Sequence, residues 1–391
     1  MKYLCAVITA VALAFSVCTC AFASDNDAGL RFRDDGSFRI LHLTDTQDDE
    51  NTARELVPFL EKAVSSAAPD LIVLTGDIVE DSRPVADLFT DKEPFFDGVV
   101  VKRGGKLDYD ATLANVKSVC AEVFGVFERA GIPFVIAQGN NDYKAQISNE
   151  DWLKIYAGYP HCLNAFDLSD DKDGHLDSYI EILSSAAGKP AYGVYLLDNG
   201  RSFTEDQAEW LTGFADPELP SLAFAHVPVS ETGHLFEKCS VTDAGAFLSG
   251  GKVMRLDPES SRGHAETRYD AGESLMFKAM KSAGVKGAFF GHTHVDGYTG
   301  IYDGMMLGVT YGCEFSKTSP YGMRTITVYE NEPDRIDTDV YVYTGGSFRL
   351  QTVNDFDEPS AGSNPVVKAL NLMRFLFRHI LYRINLFSGK V

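Results

Sequence analysis

Seven side chains of this 391-residue sequence are of types that hold hard divalent metals. They fall in five short runs: Asp45-Thr46-Gln47, Gly76-Asp77, Gly139-Asn140-Asn141-Asp142, His226 in Ala-Phe-Ala-His-Val-Pro, and Gly291-His292-Thr293-His294. Two Asp, one Gln, one Asn and three His mix oxygen and imidazole donors in the way that suits two divalent first-row ions. Each run alone says little, because Gly-Asp is ordinary turn chemistry and a lone His in an apolar stretch is more often a core residue. His-x-His says more, since alternate residues of an extended segment point the same way. Position carries the argument: each run follows a segment that reads as a buried strand, and open α/β sheets bind ligands beyond the carboxyl ends of their strands.

The elements that must position these residues are legible. Phe38–Leu43, Leu71–Thr75 and Ile132–Ala137 read as buried strands, with helical spacing over Thr52–Ala67 and Tyr109–Ala130. After a second insertion at Tyr143–Gly188, strands are expected at Ala191–Leu197 and Ser221–Ala225. A helix from Thr204 separates them, opened by a Thr204/Gln207 capping box. Asp81–Lys106 and Glu231–Tyr269 read as polar insertions. A helix at Ala271–Ala283 then leads into Lys286–Phe290, and short strands follow near Met306–Val309, Arg324–Tyr329 and Val340–Tyr343. Alternating β and α elements predict an α/β layered sheet.

Composition excludes several classes. The chain is 45% hydrophobic and 12% aromatic, so it is neither disordered nor low-complexity. Its 35 Lys+Arg against 56 Asp+Glu give a net charge of −21, which argues against a nucleic-acid-binding surface and would repel a phosphate unless cations intervene. Residues 1–23 read as a secretory signal: Lys2, an apolar run, then Ala21-Phe22-Ala23 before a cut at Ser24. An uncleaved anchor is the other reading, and Thr19 is a poor residue before a lipidated Cys20. Loss of Lys2 takes the charge from −21 to −22. Export is therefore expected, to a secreted, periplasmic or cell-surface location. Cys120, Cys162, Cys239 and Cys313 would remain, as up to two disulfides or as buried thiols.

The order of the five runs resembles the calcineurin-like metallophosphoesterase superfamily, whose pattern is D-x-H, G-D, G-N-H-[D/E], a lone His, then G-H-x-H. FAHVPVSE, LLDNGRSFTEDQAEWL and AFFGHTHVDGYTG look like its purple-acid-phosphatase-like subgroup. The resemblance implies a four-layer α/β sandwich of two packed mixed sheets over residues 32–350. It implies that Asp45, Gln47 and His294 hold one metal, that Asn140, His226 and His292 hold the other, and that Asp77 bridges the two. Two divalent cations (Mn, Mg, Zn or Fe) would then supply a bridging hydroxide that attacks phosphorus in line. The implied substrates are phosphomonoesters or diester and diphosphate bonds of phosphorylated small molecules. Asp77, Asn141, Asp142 and His226 are the expected catalytic residues.

Three departures bear on this. Gln47 stands where most members have His, which suits a weaker, harder site tolerant of Mn²⁺ or Mg²⁺. Asn141 stands where the family has the His thought to assist the leaving group, and an amide cannot deliver a proton. Asp142, His161, His234 or His264 are the candidate substitutes. Glu80 stands where purple acid phosphatases have the Tyr that binds Fe³⁺, so no obligatory Fe³⁺ is expected. The rival reading is a catalytically weak metal-binding cell-surface protein on the same scaffold.

A Pro/Gly/Ser/Asp-rich linker at 354–364 precedes a different tail. From 365 to 391 a helical wheel puts Val366, Leu370, Met373, Phe377, Ile380, Leu381 and Ile384 on one face, with Asn371, Arg374, Arg378 and Asn385 opposite. Lys368, Arg374, Arg378, Arg383 and Lys390 occur with no acid. Residues 366–387 could lie in an anionic membrane interface, or dock on the acidic body of the protein.

Overall fold

The computed structural model describes residues 29–49, 51–79, 101–102, 106–169, 174–186, 188–315, 320–351 and 365–387. The expected signal at 1–23, Glu80 and the 354–364 linker lie outside them. Two mixed sheets form the body. The first holds β1 (Ser37–Leu43), β2 (Leu71–Thr75) and β3 (Phe134–Ala137), the second β4 (Ser178–Leu183), β5 (Pro190–Leu197) and β6 (Ser221–Ala225). A three-stranded insertion, β7 (Phe236–Lys238), β8 (Phe247–Ser249) and β9 (Lys252–Leu256), follows. The second sheet then adds β10 (Ser261–His264), β11 (Val285–Phe290), β12 (Gly297–Tyr302) and β13 (Met305–Val309). The chain returns to the first sheet with β14 (Tyr321–Tyr329), β15 (Ile336–Thr344) and β16 (Ser347–Leu350).

Strand order is β16-β15-β14-β1-β2-β3 in the first sheet and β10-β12-β13-β11-β6-β5-β4 in the second. The parallel pairs β1/β2, β2/β3, β5/β6, β6/β11 and β11/β13 form the middle of the fold. These strands are buried on both faces, which is why they read as unbroken apolar runs. Along β1 the faces alternate: Phe38 and Ile40 enter the core between the sheets with Val73, Val135, Leu222, Phe224 and Phe289. Leu41 and Leu43 face outward against α1 (Leu56–Ala67) and α2 (Tyr109–Ala130). On the far face of the second sheet lie α5 (Glu205–Phe214) and α6 (Leu275–Ser282), giving the expected order helix, sheet, sheet, helix. The Thr204/Gln207 capping box is present at the start of α5.

Between these, α3 (Asn140–Lys144) and α4 (Asn149–Ala157) follow β3, and α7 (Pro365–Phe387) closes the described chain. The insertions carry more structure than their polarity suggested: β4 lies in one and β7–β10 in another. Those strands are short, and their burial is partial, so no continuous apolar run marks them. Cys120, Cys162, Cys239 and Cys313 are all free thiols, three of them buried.

Arg324 on β14 joins the two sheets. It has no exposed surface and no carboxylate partner among its hydrogen bonds. Instead its nitrogens donate to the hydroxyls of Thr310, Thr299 and Thr338 at 2.6–2.9 Å and to the Tyr298 and Val309 carbonyls at 2.8 and 2.7 Å. Burial pulls its pKa down to about 9.

Candidate metal centre

The five runs converge. β1, β2 and β3 bring Asp45, Gln47, Asp77 and Asn140 to the carboxyl end of the first sheet, and β6 and β11 bring His226, His292 and His294 to the same end of the second. Asp77, His226 and His292 place ligand atoms within 4.8 Å of one another, and so do Asp45, Asp77 and His294. Asp77 belongs to both groups, as a residue bridging two ions must.

Backbone conformation marks the same residues. Among the described residues other than glycine, positive φ occurs at Asp45 (53°), Gln47 (33°), Asp77 (50°), His292 (72°) and His294 (61°), and at three positions outside the site. A side chain in the left-handed region costs energy and persists where the surroundings impose it, characteristically at functional sites. Glycines make room for these turns: a Cβ at Gly139 would fall 2.2 Å from Asp77 Oδ1, and one at Gly291 1.8 Å from Thr44 Oγ1.

Hydrogen bonds aim the ligands. Asp77 Oδ1 accepts the Asn141 amide at 2.8 Å, which turns Oδ2 inward, 3.2 Å from His226 Nε2. His226 Nδ1 donates to the Thr75 carbonyl at 2.7 Å, so Nε2 points inward too, 3.1 Å from Asn140 Oδ1 and 3.2 Å from His292 Nδ1. Asn199 braces the His226 loop: its Oδ1 accepts the amides of His226 and Val227 at 3.0 and 2.9 Å. Asp45 Oδ2 accepts the Thr44 hydroxyl at 2.6 Å and the His292 amide at 2.9 Å. His294 stands with Nδ1 2.8 Å from the buried Glu314 carboxylate and Nε2 3.4 Å from Asp45 Oδ1. His42, inside β1, bonds Thr75 and Thr310 and belongs to the core.

The residues fit a metal pair. Asp45 Oδ1 and Gln47 Oε1 are buried oxygens with no hydrogen-bond partner, which is costly unless something else takes the lone pairs. They are the atoms a first ion would use. Gln47 Nε2 meanwhile donates to Asp77 Oδ2 at 3.0 Å. The remaining donors, His226 Nε2, His292 Nδ1, Asn140 Oδ1 and Asp77 Oδ2, form the second set. Burial lowers the His226 pKa, but the Asp77 and Asp45 carboxylates outweigh it and carry it up to about 10. Such a site holds a proton until a stronger cation replaces it.

The expected substitutes for the missing His behave differently. Asp142 has no exposed surface; its Oδ1 accepts the Ile78 and Val79 amides at 2.8 and 3.3 Å and its Oδ2 the Gly139 amide at 2.9 Å. It clamps the loops after β2 and β3 together, and burial and Asp77 raise its pKa to about 7. The His161 carbonyl accepts the Phe134 amide at the start of β3, the end away from the site, and its ring meets Glu128. His234 stacks on Tyr302, at the far end of β12. His264 is at the near end, opposite Gly297, but buried against Glu266 and Tyr311. Three positioning residues were missed from the sequence. Lys144 donates from Nζ to Asn141 Oδ1 at 2.7 Å, with Asn140 Nδ2 donating to the same oxygen at 2.8 Å. Glu314 and Asn199 are the others. Only Lys144 carried a signal, one helical turn after Asn141.

The family model for calcineurin-like phosphoesterases matches residues 38–296. Two proteins of Arabidopsis thaliana, named probable inactive purple acid phosphatases 14 and 28, are each 22% identical to this chain. The first match covers 84% of this chain and 83% of the relative, the second 71% and 70%. Among solved structures, a dimetal phosphatase from Danio rerio is 15% identical, with a TM-score of 0.46 over 81% of this chain and 99% of that one.

Proposed function

This chain belongs to the calcineurin-like phosphoesterase family, and from that we propose that it is an exported, metal-dependent hydrolase of phosphomonoesters or of phosphodiester and diphosphate bonds in small molecules. One observation carries the reading. Five of the seven inward-facing donors sit on a left-handed backbone, and two buried oxygens among them have no hydrogen-bond partner. Strain and desolvation at one point are what a loaded binuclear centre repays.

Asp45, Gln47 and His294 would hold one ion, Asn140, His226 and His292 the other, with Asp77 between. Such a pair supplies a hydroxide at neutral pH and neutralises phosphoryl oxygens. The protein's own work is orientation. Asn141 fixes Asp77 through its backbone amide and holds the Lys144 ammonium through its side chain. We assign Lys144 to the leaving-group side, in place of the His that Asn141 replaces. Export rests on the pattern of residues 1–23.

A second reading, a metal-binding protein with weak catalysis, draws on Asn141 and on the word "inactive" in the relatives' names. Hydrolysis of aryl phosphomonoester and diester with Mn²⁺, Mg²⁺, Zn²⁺ or chelator separates the two. The proposal expects metal-dependent turnover that Asp77→Asn abolishes. A folded, metal-loaded sample that turns over neither ester would overturn it in favour of the second reading.

A further inference from the structure

The C-terminal helix α7 docks on the body by the side that its sequence pattern marks as polar. Asn371 is buried, and its Nδ2 donates to the Thr242 carbonyl at 3.0 Å. Val367 and Phe375, four residues to either side, are half-buried, and Phe375 helps line a cavity with Ala246, Phe247, Leu248 and Arg268. The docking stripe is therefore Val367-Asn371-Phe375, spaced by four as one helix face requires.

This leaves the apolar half outward. Val366, Met373 and Phe377 are 65%, 58% and 64% exposed, and Leu370, Leu372 and Leu376 are exposed beside them. Lys368 and Arg374 flank the docking stripe on its two sides, between the body and the outward apolar surface. Large apolar side chains are not left in a contiguous exposed row without an occupant. No helix among the described residues is long and apolar enough to cross a membrane.

We propose that α7 is a peripheral membrane anchor whose outward face enters the interface of an anionic phospholipid bilayer. The apolar row would sink to the acyl boundary while Lys368 and Arg374, at its edges, stay level with the phosphates. The charge pattern selects this occupant. From Val366 to the end the sequence has five Lys/Arg and no acid, within a chain of net charge −21. Two copies packed through this face would bring like charges together, whereas an anionic lipid surface attracts them. The inference does not depend on the catalytic reading.

The test is flotation of the full mature chain with vesicles of phosphatidylcholine alone or with added phosphatidylglycerol. Binding is expected to the anionic vesicles, weakened by salt, with little on phosphatidylcholine. Met373→Glu and Phe377→Glu should each cut it about tenfold or more, with an unchanged thermal unfolding midpoint as the control for folding. Lys368→Glu should weaken binding to the anionic vesicles alone. Wild-type protein that fails to float with anionic vesicles overturns the proposal. So does a dimer in light scattering that Met373→Glu dissociates, since the occupant is then a second copy.

Discussion

Glu314 holds its carboxylate 2.8 Å from Nδ1 of His294, while Nε2 of the same ring faces Asp45 Oδ1 at 3.4 Å. A carboxylate behind a ligating imidazole fixes its tautomer and raises its basicity, and losing such a partner typically weakens metal binding about 10–100-fold. Glu314→Gln should therefore weaken one of two metal-binding phases in calorimetry and leave the other in place. Equal weakening of both phases would show that Glu314 acts on the whole fold.

The proton on His226 must leave before Nε2 can bind a metal. With its pKa up at about 10, metal affinity should climb with pH through neutrality and level off near that value. The stability sign is opposite. A His pKa raised in the folded state stabilises the metal-free protein fully below about pH 6.5, and that contribution fades as pH rises toward about 10. Metal titrations across pH 6–10, with chelator-treated melts alongside, read both slopes.

Lys144→Met should slow alkyl phosphates about 10²-fold more than aryl phosphates, because only the poorer leaving group needs a cation or a proton. Lys144→Arg should recover part of the loss. Equal effects on both substrates would move Lys144 from the leaving group to general phosphate binding, readable as a raised KM with unchanged kcat.

Chelation should lower the unfolding midpoint by on the order of 5–10 °C, as expected when a ligand at saturating concentration is lost. Gln47→Ala should bring metal content from two ions per chain to one. In the metal-free protein it removes a buried oxygen that has no hydrogen-bond partner together with the Nε2 donor to Asp77 Oδ2, so the net cost there should be on the order of 1–3 kcal/mol.

Arg324→Met should destabilise by about 2–4 kcal/mol, since three hydroxyls and two carbonyls lose their donor together. Denaturant unfolding of the chelated protein measures this apart from metal binding.

Most of the fold and the convergence of the seven candidate ligands were legible because the parallel strands are buried on both faces. Leu71–Thr75, Ser221–Ala225 and the helix Tyr109–Ala130 end where their apolar patterns end. Strands β4 and β7–β10 were not, because they pair at edges or in an insertion with partial burial, and nothing local distinguishes them from loops. Glu314 and Asn199 were illegible for another reason. Their roles exist only once β13 and β5 bring them beside His294 and His226, and no spacing along the chain announces that. The tail helix was legible as a helix, yet its docking side was not, because one buried Asn371 outweighs an amphipathic pattern when the body offers a carbonyl to meet it.

Asp45, Asp77 and Asn140 ride on one sheet, and His226, His292 and His294 on the other. The centre therefore spans a seam, and its affinity is a gauge of how the two sheets sit against each other. Phe224 stacks on Phe289 at 5.6 Å in that seam, and Phe224 also meets His42 of the first sheet. A substitution there touches no proposed ligand, yet it should shift one half of the candidate ligand set against the other. Thermal tolerance and metal retention should then rise and fall together across variants, as two readings of a single mechanical fit.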